Sequence, residues 1–360
     1  MKLQNNPAFF FVISILISSS IASGQTVRIE ETDFEESSNT FKVIYNISID
    51  DQPFTSFLYR PDLLEKPVLF PVYAPQGPVI TRGYPLQPRA GERVDHPHHV
   101  GLWLNYGSIN GIDFWNNSFA IPENEKLKYG KVTLEEWNVT KTGGKEGVLD
   151  FTTYWKDQQG VPHLQEDTRY IFSGSDGVWM IDRITKLTTG PNMDTVAIGD
   201  NKEGLLAIRM DRAFEEPITT PEVFTDAQGK PSDVPALNNE GVNGVYRNSS
   251  KLKGGAVWGK RANWVALTAT KEGKKITIAM IDHPDNFGHP AHWHARGYGL
   301  FSVNNLGSKV YVPTDADQSF VLRAGESILL RHRVLIGDAE KISDSFLDKQ
   351  VSALKKKYSK

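Results

Sequence analysis

The chain has 360 residues, 40 basic against 43 acidic side chains and no cysteine, which excludes a disulfide framework, a thiolate metal site and a cysteine nucleophile. The near-neutral balance argues against a nucleic-acid-binding surface or a membrane-binding face, and ~335 residues after a leader can bury a core without covalent staples. Its 8 Trp, 12 Tyr and 18 Phe supply flat faces that suit sugar rings, although aromatics are also ordinary β-core residues.

In chain order, Met1–Gly24 reads as a secretory signal peptide. Lys2 precedes the apolar run Ala8–Ile17, and small residues end at Ala22-Ser23-Gly24 before Gln25. The run is too short to span a bilayer. The mature chain is therefore expected to start near Gln25, to be soluble, and to be periplasmic or secreted. Period-two, β-branched segments follow at Val68–Tyr73, Lys131–Val139, Val148–Trp155, Val178–Leu187, Leu205–Met210, Gly255–Thr270, Lys275–Ile281, Phe320–Arg323 and Ser327–Ile336. Turn residues bound them, as at Thr142–Lys145, Ser173–Gly177 and Lys271–Lys274. Many strands with short polar turns predict one mainly β domain over 25–360, a large antiparallel sandwich. A helix is predicted from about Ala339 to Lys357, with Asp338 as its cap and Ile342, Phe346, Val351 and Leu354 as its apolar stripe. Gly77–Val94 and Glu215–Tyr246 read as long loops, and long loops in a compact domain are usually functional or disordered. No βαβ rhythm or phosphate loop is present.

Seven of the 9 histidines fall in two constellations, Asp95-His96-Pro97-His98-His99 and Asp282-His283-Pro284 with His289, His292 and His294. Each opens on Asp-His-Pro and contains a His-x-His pair. On an extended chain, residues i and i+2 share a face, so such a pair aims two imidazoles at one point. Pro97 rules out a helix interior and fits an extended or turn conformation. Two such pairs could hold a divalent metal ion, with Asp95 or Asp282 as ligand or supporting partner. They could equally serve as general acid and base without metal. Neither constellation alone supplies enough groups, so both are expected to converge on one cleft.

Around them lie Trp103, Asn110–Trp115, Trp293, Arg296, Tyr298 and Asn304, the aromatic and polar types that stack on pyranose rings and bind hydroxyls. Asp200-Asn201-Lys202-Glu203-Gly204 adds Glu203 as a carboxylate at a strand edge. Glu166 and Arg169 read as a cross-strand charge pair.

Four segments, Asp95–Trp115, Asp200–Arg209, Trp258–Leu267 and His289–Gly307, resemble the bacterial family labelled "methane oxygenase PmoA", and the likeness runs from roughly Tyr59 to Ile336. Members usually carry Pro-x-Pro-Trp-His in the last motif, whereas this chain reads Pro290-Ala291-His292-Trp293-His294. That departure weakens a four-histidine metal site and leaves His96, His98, His99 and His294 as the better core. The label itself sits badly with the physics, because the membrane subunit it names is built from apolar spanning helices that this chain does not offer. The resemblance instead implies an exported protein of polysaccharide-degrading bacteria. Its fold would be similar to the galactose-mutarotase superfamily, which binds sugars on a concave sheet and moves protons with His and a carboxylate.

The leading expectation is a carbohydrate-active hydrolase, lyase or epimerase acting on a glycoside or modified sugar. In it, His96, His98, His99, His294 and Glu203 do acid/base work, and Arg296 holds an anionic or carbonyl group. Trp103, Trp293, Tyr298 and Asn304 bind the sugar, and His96, His98 and His294 are the metal candidates. The alternatives are a non-catalytic carbohydrate-binding protein and a metal-dependent oxygenase.

Overall fold

The computed structural model describes residues 25–32, 43–60, 63–75 and 77–359, so the expected signal segment Met1–Gly24 lies outside the described residues. The chain first lays down β1 (Val27–Glu31), β2 (Val43–Ile49), β3 (Gln52–Leu58), β4 (Val68–Val72) and β5 (Leu102–Tyr106) as successive antiparallel neighbours. It then crosses to a second sheet and runs a meander of long strands, β6 (Lys131–Lys141), β7 (Glu146–Lys156), β8 (Pro162–Ser175) and β9 (Val178–Thr189). After β10 (Thr195–Ile198) it returns to the first sheet as β11 (Gly204–Arg209). Next, β12 (Val245–Asn248), β13 (Trp264–Lys271) and β14 (Lys274–Asp282) extend the second sheet, while β15 (His292–Arg296) and β16 (Leu300–Asn304) complete the first. Finally β17 (Phe320–Arg323) pairs with β10, and β18 (Ile328–Asp338) inserts between β14 and β9.

Two eight-stranded antiparallel sheets result, ordered β1-β2-β3-β4-β5-β11-β16-β15 and β12-β13-β14-β18-β9-β8-β7-β6. The expected mainly β sandwich is what forms. Along β7, Leu149, Phe151 and Trp155 alternate inward as a period of two demands, and they meet Phe54, Phe57, Leu104 and Ile208 of the first sheet in one apolar core.

The helix, α1 (Asp344–Tyr358), starts later than the periodicity suggests. Asp338 is still in the β18 ladder, and Ser343 caps the helix instead, its hydroxyl accepting from the Phe346 amide at 3.2 Å. Leu347 and Leu354 seat α1 on the outer face of the second sheet, against Trp264, Ile281 and Leu335. The stretch expected as one strand over Gly255–Thr270 is divided into a 3₁₀ turn at Gly254–Val257 and β13. Glu166 and Arg169 do not pair with one another. Three residues apart on one strand, they face opposite ways: Arg169 chelates Asp150 (2.6 and 2.9 Å) on the outside, and Glu166 meets Arg183 and Trp155 in the interior.

Candidate functional site

The outer face of the first sheet carries the chemistry. Strand alternation sends Trp293 and Ala295 of β15 inward and His292, His294 and Arg296 outward. The register then aligns Trp103, Ala207, Ser302 and His294 in one row across β5, β11, β16 and β15, with Arg209, Leu300 and Arg296 in the next. At ~4.8 Å between neighbouring strands, Arg209 and Arg296 lie about 10 Å apart along that row.

Over this face folds the loop that carries the first histidine constellation. Arg82, fully buried, ties it together by donating to the carbonyls of Asp95 (2.8 Å), His96 (2.9 Å), His99 (3.1 Å) and Arg93 (3.3 Å) and to the Asp95 carboxylate. His96 has a φ of 41°, and the His99 amide donates to its carbonyl at 2.9 Å. The His-x-His pair here is therefore a turn and does not share a strand face. Its rings stack otherwise: His96 lies parallel to His99 (4.8 Å between centroids) and to Tyr298 (5.0 Å), and His99 lies on Trp103 (5.4 Å).

Asp95 is the ionic centre. Arg209 donates to it at 2.6 Å and His96 Nδ1 at 2.7 Å. Burial alone would raise its carboxyl, but Arg209, the His96 hydrogen bond and Arg82 together hold it well below the usual carboxylate range. An ionised Asp95 makes His96 Nδ1 the donor, so the neutral ring keeps its lone pair on Nε2, and this side chain is 41 % exposed. His99 is different. Its Nδ1 faces the Arg209 guanidinium at 3.2 Å, a group that can only donate, so the ring's proton sits on a buried, unpartnered Nε2. Burial, then His98 and Arg209, keep His99 well below its ordinary value, and burial with Lys66 nearby does the same to His98.

Of the second constellation, only β15 reaches this face. His294 is buried, donates from Nδ1 to the Lys202 carbonyl (3.0 Å) and lies 3.7 Å from Glu203. Burial lowers it to about 4, the Glu203 charge opposing. Asn304, fully buried, donates to the Asn201 carbonyl (2.8 Å) and accepts from the Leu306 and Gly307 amides (3.0 Å each). Its capacity is spent inside the protein, which leaves it nothing for a sugar. Trp293 is 0 % exposed in the intersheet core, with Nε1 donating to the Ala262 carbonyl at 2.9 Å, so it offers no face for stacking. Trp103 is equally buried and serves as the floor beneath His99. His283 and His289 stay with Asp282 in the connection between β14 and β15. Glu203 is ion-paired with Lys202 at the rim, and Asp200 caps the Ser308, Lys309 and Gln318 amides (2.9 Å each).

The open part of the face is a groove of about 410 Å³ lined by Arg93, Glu216, Thr220, Trp258, Arg296 and Tyr298. Trp258 and Tyr298 present the available rings. Residues 216–220 of the long loop form one wall. Arg82, Arg93, Arg209, Glu215 and Trp258 escaped the sequence reasoning. Arg209 ends an unbroken apolar run, where nothing distinguishes a buried cation from a strand-end surface charge. Glu215 is also buried, and burial raises it to about 7 against the pull of Arg209, Arg212 and Arg93. Lys66, buried beside Trp103 with Nζ donating to the His98 carbonyl (2.7 Å), is lowered by burial to about 7.

A divalent ion does not fit these residues. Among the described residues no three His, Asp or Glu side chains are grouped as metal ligands. His99 Nδ1 faces a guanidinium, and although His96 and His294 bond through Nδ1 and keep Nε2, neither is grouped with two further ligands. The proposed trio His96, His98 and His294 is not assembled.

Fold and site together define a two-sheet antiparallel β-sandwich protein with an Asp–Arg–His cluster on the outer face of one sheet, beside an aromatic groove. Over residues 45–350 the chain matches the family of unknown function DUF6807, and it belongs to that family. No curated protein matches its sequence. Among solved structures it is similar to the galactosidase domain of the alpha-galactosidase-sucrose kinase AgaSK, with a TM-score of 0.34 and 10% identity over 79% of this chain and 40% of that one. It is also similar to the alpha-galactosidase from Lactobacillus brevis, with a TM-score of 0.36 and 11% identity over 91% of this chain and 41% of that one. The chain spans about two fifths of the length of these proteins, and superposition at this level transfers no activity.

Proposed function

We propose that the protein is an exported carbohydrate-active enzyme, a hydrolase, lyase or epimerase, that works in the groove beside Asp95 and His96. The observation that supports this best is the Asp95–His96 pair. A carboxylate fixed by two arginines orients an imidazole whose other nitrogen is free and whose ring stacks on the groove residue Tyr298. Trp258 and Tyr298 would stack on the sugar. His96 would move the proton, and Glu203, 3.7 Å from His294 and paired with Lys202 at the rim, would be the second carboxylate. Exposure favours His96 over His294 as the proton carrier, because the His294 side chain is 4 % exposed and that of His96 is 41 % exposed. The arrangement needs no metal.

The test is a screen of native and oxidised oligosaccharides with and without chelator, read by mass spectrometry, on the native protein and His96→Gln. Turnover insensitive to chelator and reduced ~10²–10⁴-fold by the substitution supports the proposal, that being the usual scale for loss of a general acid or base. Saccharide binding without turnover of any substrate makes the protein a binding module instead.

A further inference from the structure

The groove contains a cation with no counter-ion. The Arg296 guanidinium lies 5.7 Å from the centroids of both Trp258 and Tyr298, and its side chain is exposed. Among the described residues it makes no hydrogen bond or ion pair, although the other guanidiniums around Tyr298 are all balanced. Arg209, 4.9 Å from that ring, is paired with Asp95 at 2.6 Å, and Arg93, 5.7 Å from it, with Glu222 at 2.6 Å. Glu216 lines the same groove and forms no ion pair with Arg296. Close by, the buried Nε1 of Trp258 is a donor without an acceptor. The two rings hold this exposed guanidinium in place by cation–π attraction, and its N–H donors remain open to an anion that enters the groove.

We infer that the groove takes a glycan bearing an anionic oxygen group, a carboxylate or a sulfate, which the Arg296 guanidinium binds between Trp258 and Tyr298. This rests on the carbohydrate reading above and narrows it to acidic sugars. A guanidinium donates two parallel N–H bonds to such a group. The pyranose ring that bears the anion then lies against the aromatic faces and within reach of His96, which stacks on Tyr298. Neutral sugars can use the rings but leave Arg296 unpaired.

The experiment is isothermal titration of the full mature chain with three trisaccharides: a galacturonic acid trimer, the same trimer with its carboxyls reduced to hydroxymethyl, and a sulfated galactose trimer. Each is run at low and high salt on the native protein and on Arg296→Gln. At least one acidic trimer should bind about 10–100-fold more tightly than the reduced one, the range for a charge-assisted hydrogen-bonded pair. That preference should shrink with salt and vanish in R296Q, and the comparison of the two acidic trimers identifies the anion. Because Arg296 is exposed, R296Q should unfold at the native temperature, which a melting curve checks. Equal binding of acidic and reduced trimers, or a preference that survives R296Q, overturns the inference and leaves the carbohydrate reading standing. Failure of every trimer to bind overturns both.

Discussion

Two stretches of the molecule open on the same three residues, Asp95-His96-Pro97 and Asp282-His283-Pro284, and the structure puts them to different uses. Asp282 is fully buried and closes an internal network. It accepts from Asn286 (2.8 Å), Asn305 (2.8 Å), His289 (2.7 Å) and the Ala291 amide (2.9 Å), and it pins the connection from β14 to β15. Asp95 accepts from two arginines and one histidine, but its side chain is 16 % exposed and its histidine faces solvent. A carboxylate satisfied by neutral donors in a sealed interior is structural. One balanced by cations at an open face, with an imidazole left half free, has capacity for chemistry. Exposure and the charge of the partners separate the two, and neither is written in the tripeptide.

The largest expected effect tests that division at its functional end. His96→Gln should lower turnover ~10²–10⁴-fold while changing stability by less than ~1 kcal/mol, as expected for an exposed side chain. A variant with full activity per folded molecule would remove His96 from the chemistry. At the other end, Asp282→Ala strands His289, Asn286, Asn305 and the Ala291 amide, and should cost ~3–5 kcal/mol in urea unfolding, the scale for breaking a buried network. Its activity per folded molecule should match the native protein. Lost activity in the fraction that folds would tie Asp282 to the site after all.

The pH dependence sharpens the contrast further. His332, buried in the Asp282 network, is lowered by burial to about 4. Its folded value lies below the unfolded one near 6.5, so the unfolded chain takes up its proton first. The stability it contributes is complete above about pH 6.5 and is lost as pH falls through about 4, amounting to roughly 3 kcal/mol. Asp95, held low, contributes stability that is present above its unfolded value near 4 and is lost at still lower pH. Urea midpoints across pH 7 to 4 should therefore fall in the native chain and fall less in His332→Gln. Parallel curves would assign the decline to other groups. The smallest effect concerns the groove. Trp258→Ala should weaken saccharide binding by about tenfold, the lower range for a buried aromatic contact, with little loss of stability. An unchanged affinity would move the sugar elsewhere on the face.

Much of this site was legible before folding, and the misreadings have a common cause. The long loop Glu215–Tyr246 does wall the groove, and Arg296 and Tyr298 do line it. His292 and His294 do share a face, because a true strand imposes a period of two there. The same rule misleads at His96 and His98, where Pro97 sits in a turn and the two rings meet edge to face. It also puts Trp293 opposite His294 rather than beside it, so the residue next to the histidine in sequence is across the sheet from it in space.

What the sequence by itself determined is the architecture and the chemical repertoire. Period-two patterning and turn residues are local properties, and they specify antiparallel strands and one amphipathic helix whatever the rest of the chain does. The histidine, aspartate and arginine content marked where chemistry could occur. Only the tertiary structure decided which of those groups are exposed, paired or sealed. β11 brings Arg209 under Asp95 from 114 residues away, and β15 and β16 carry Arg296 and Tyr298 to the same face. Burial and the charge of long-range neighbours set each group's protonation, and both depend on sheet order, which no local pattern encodes.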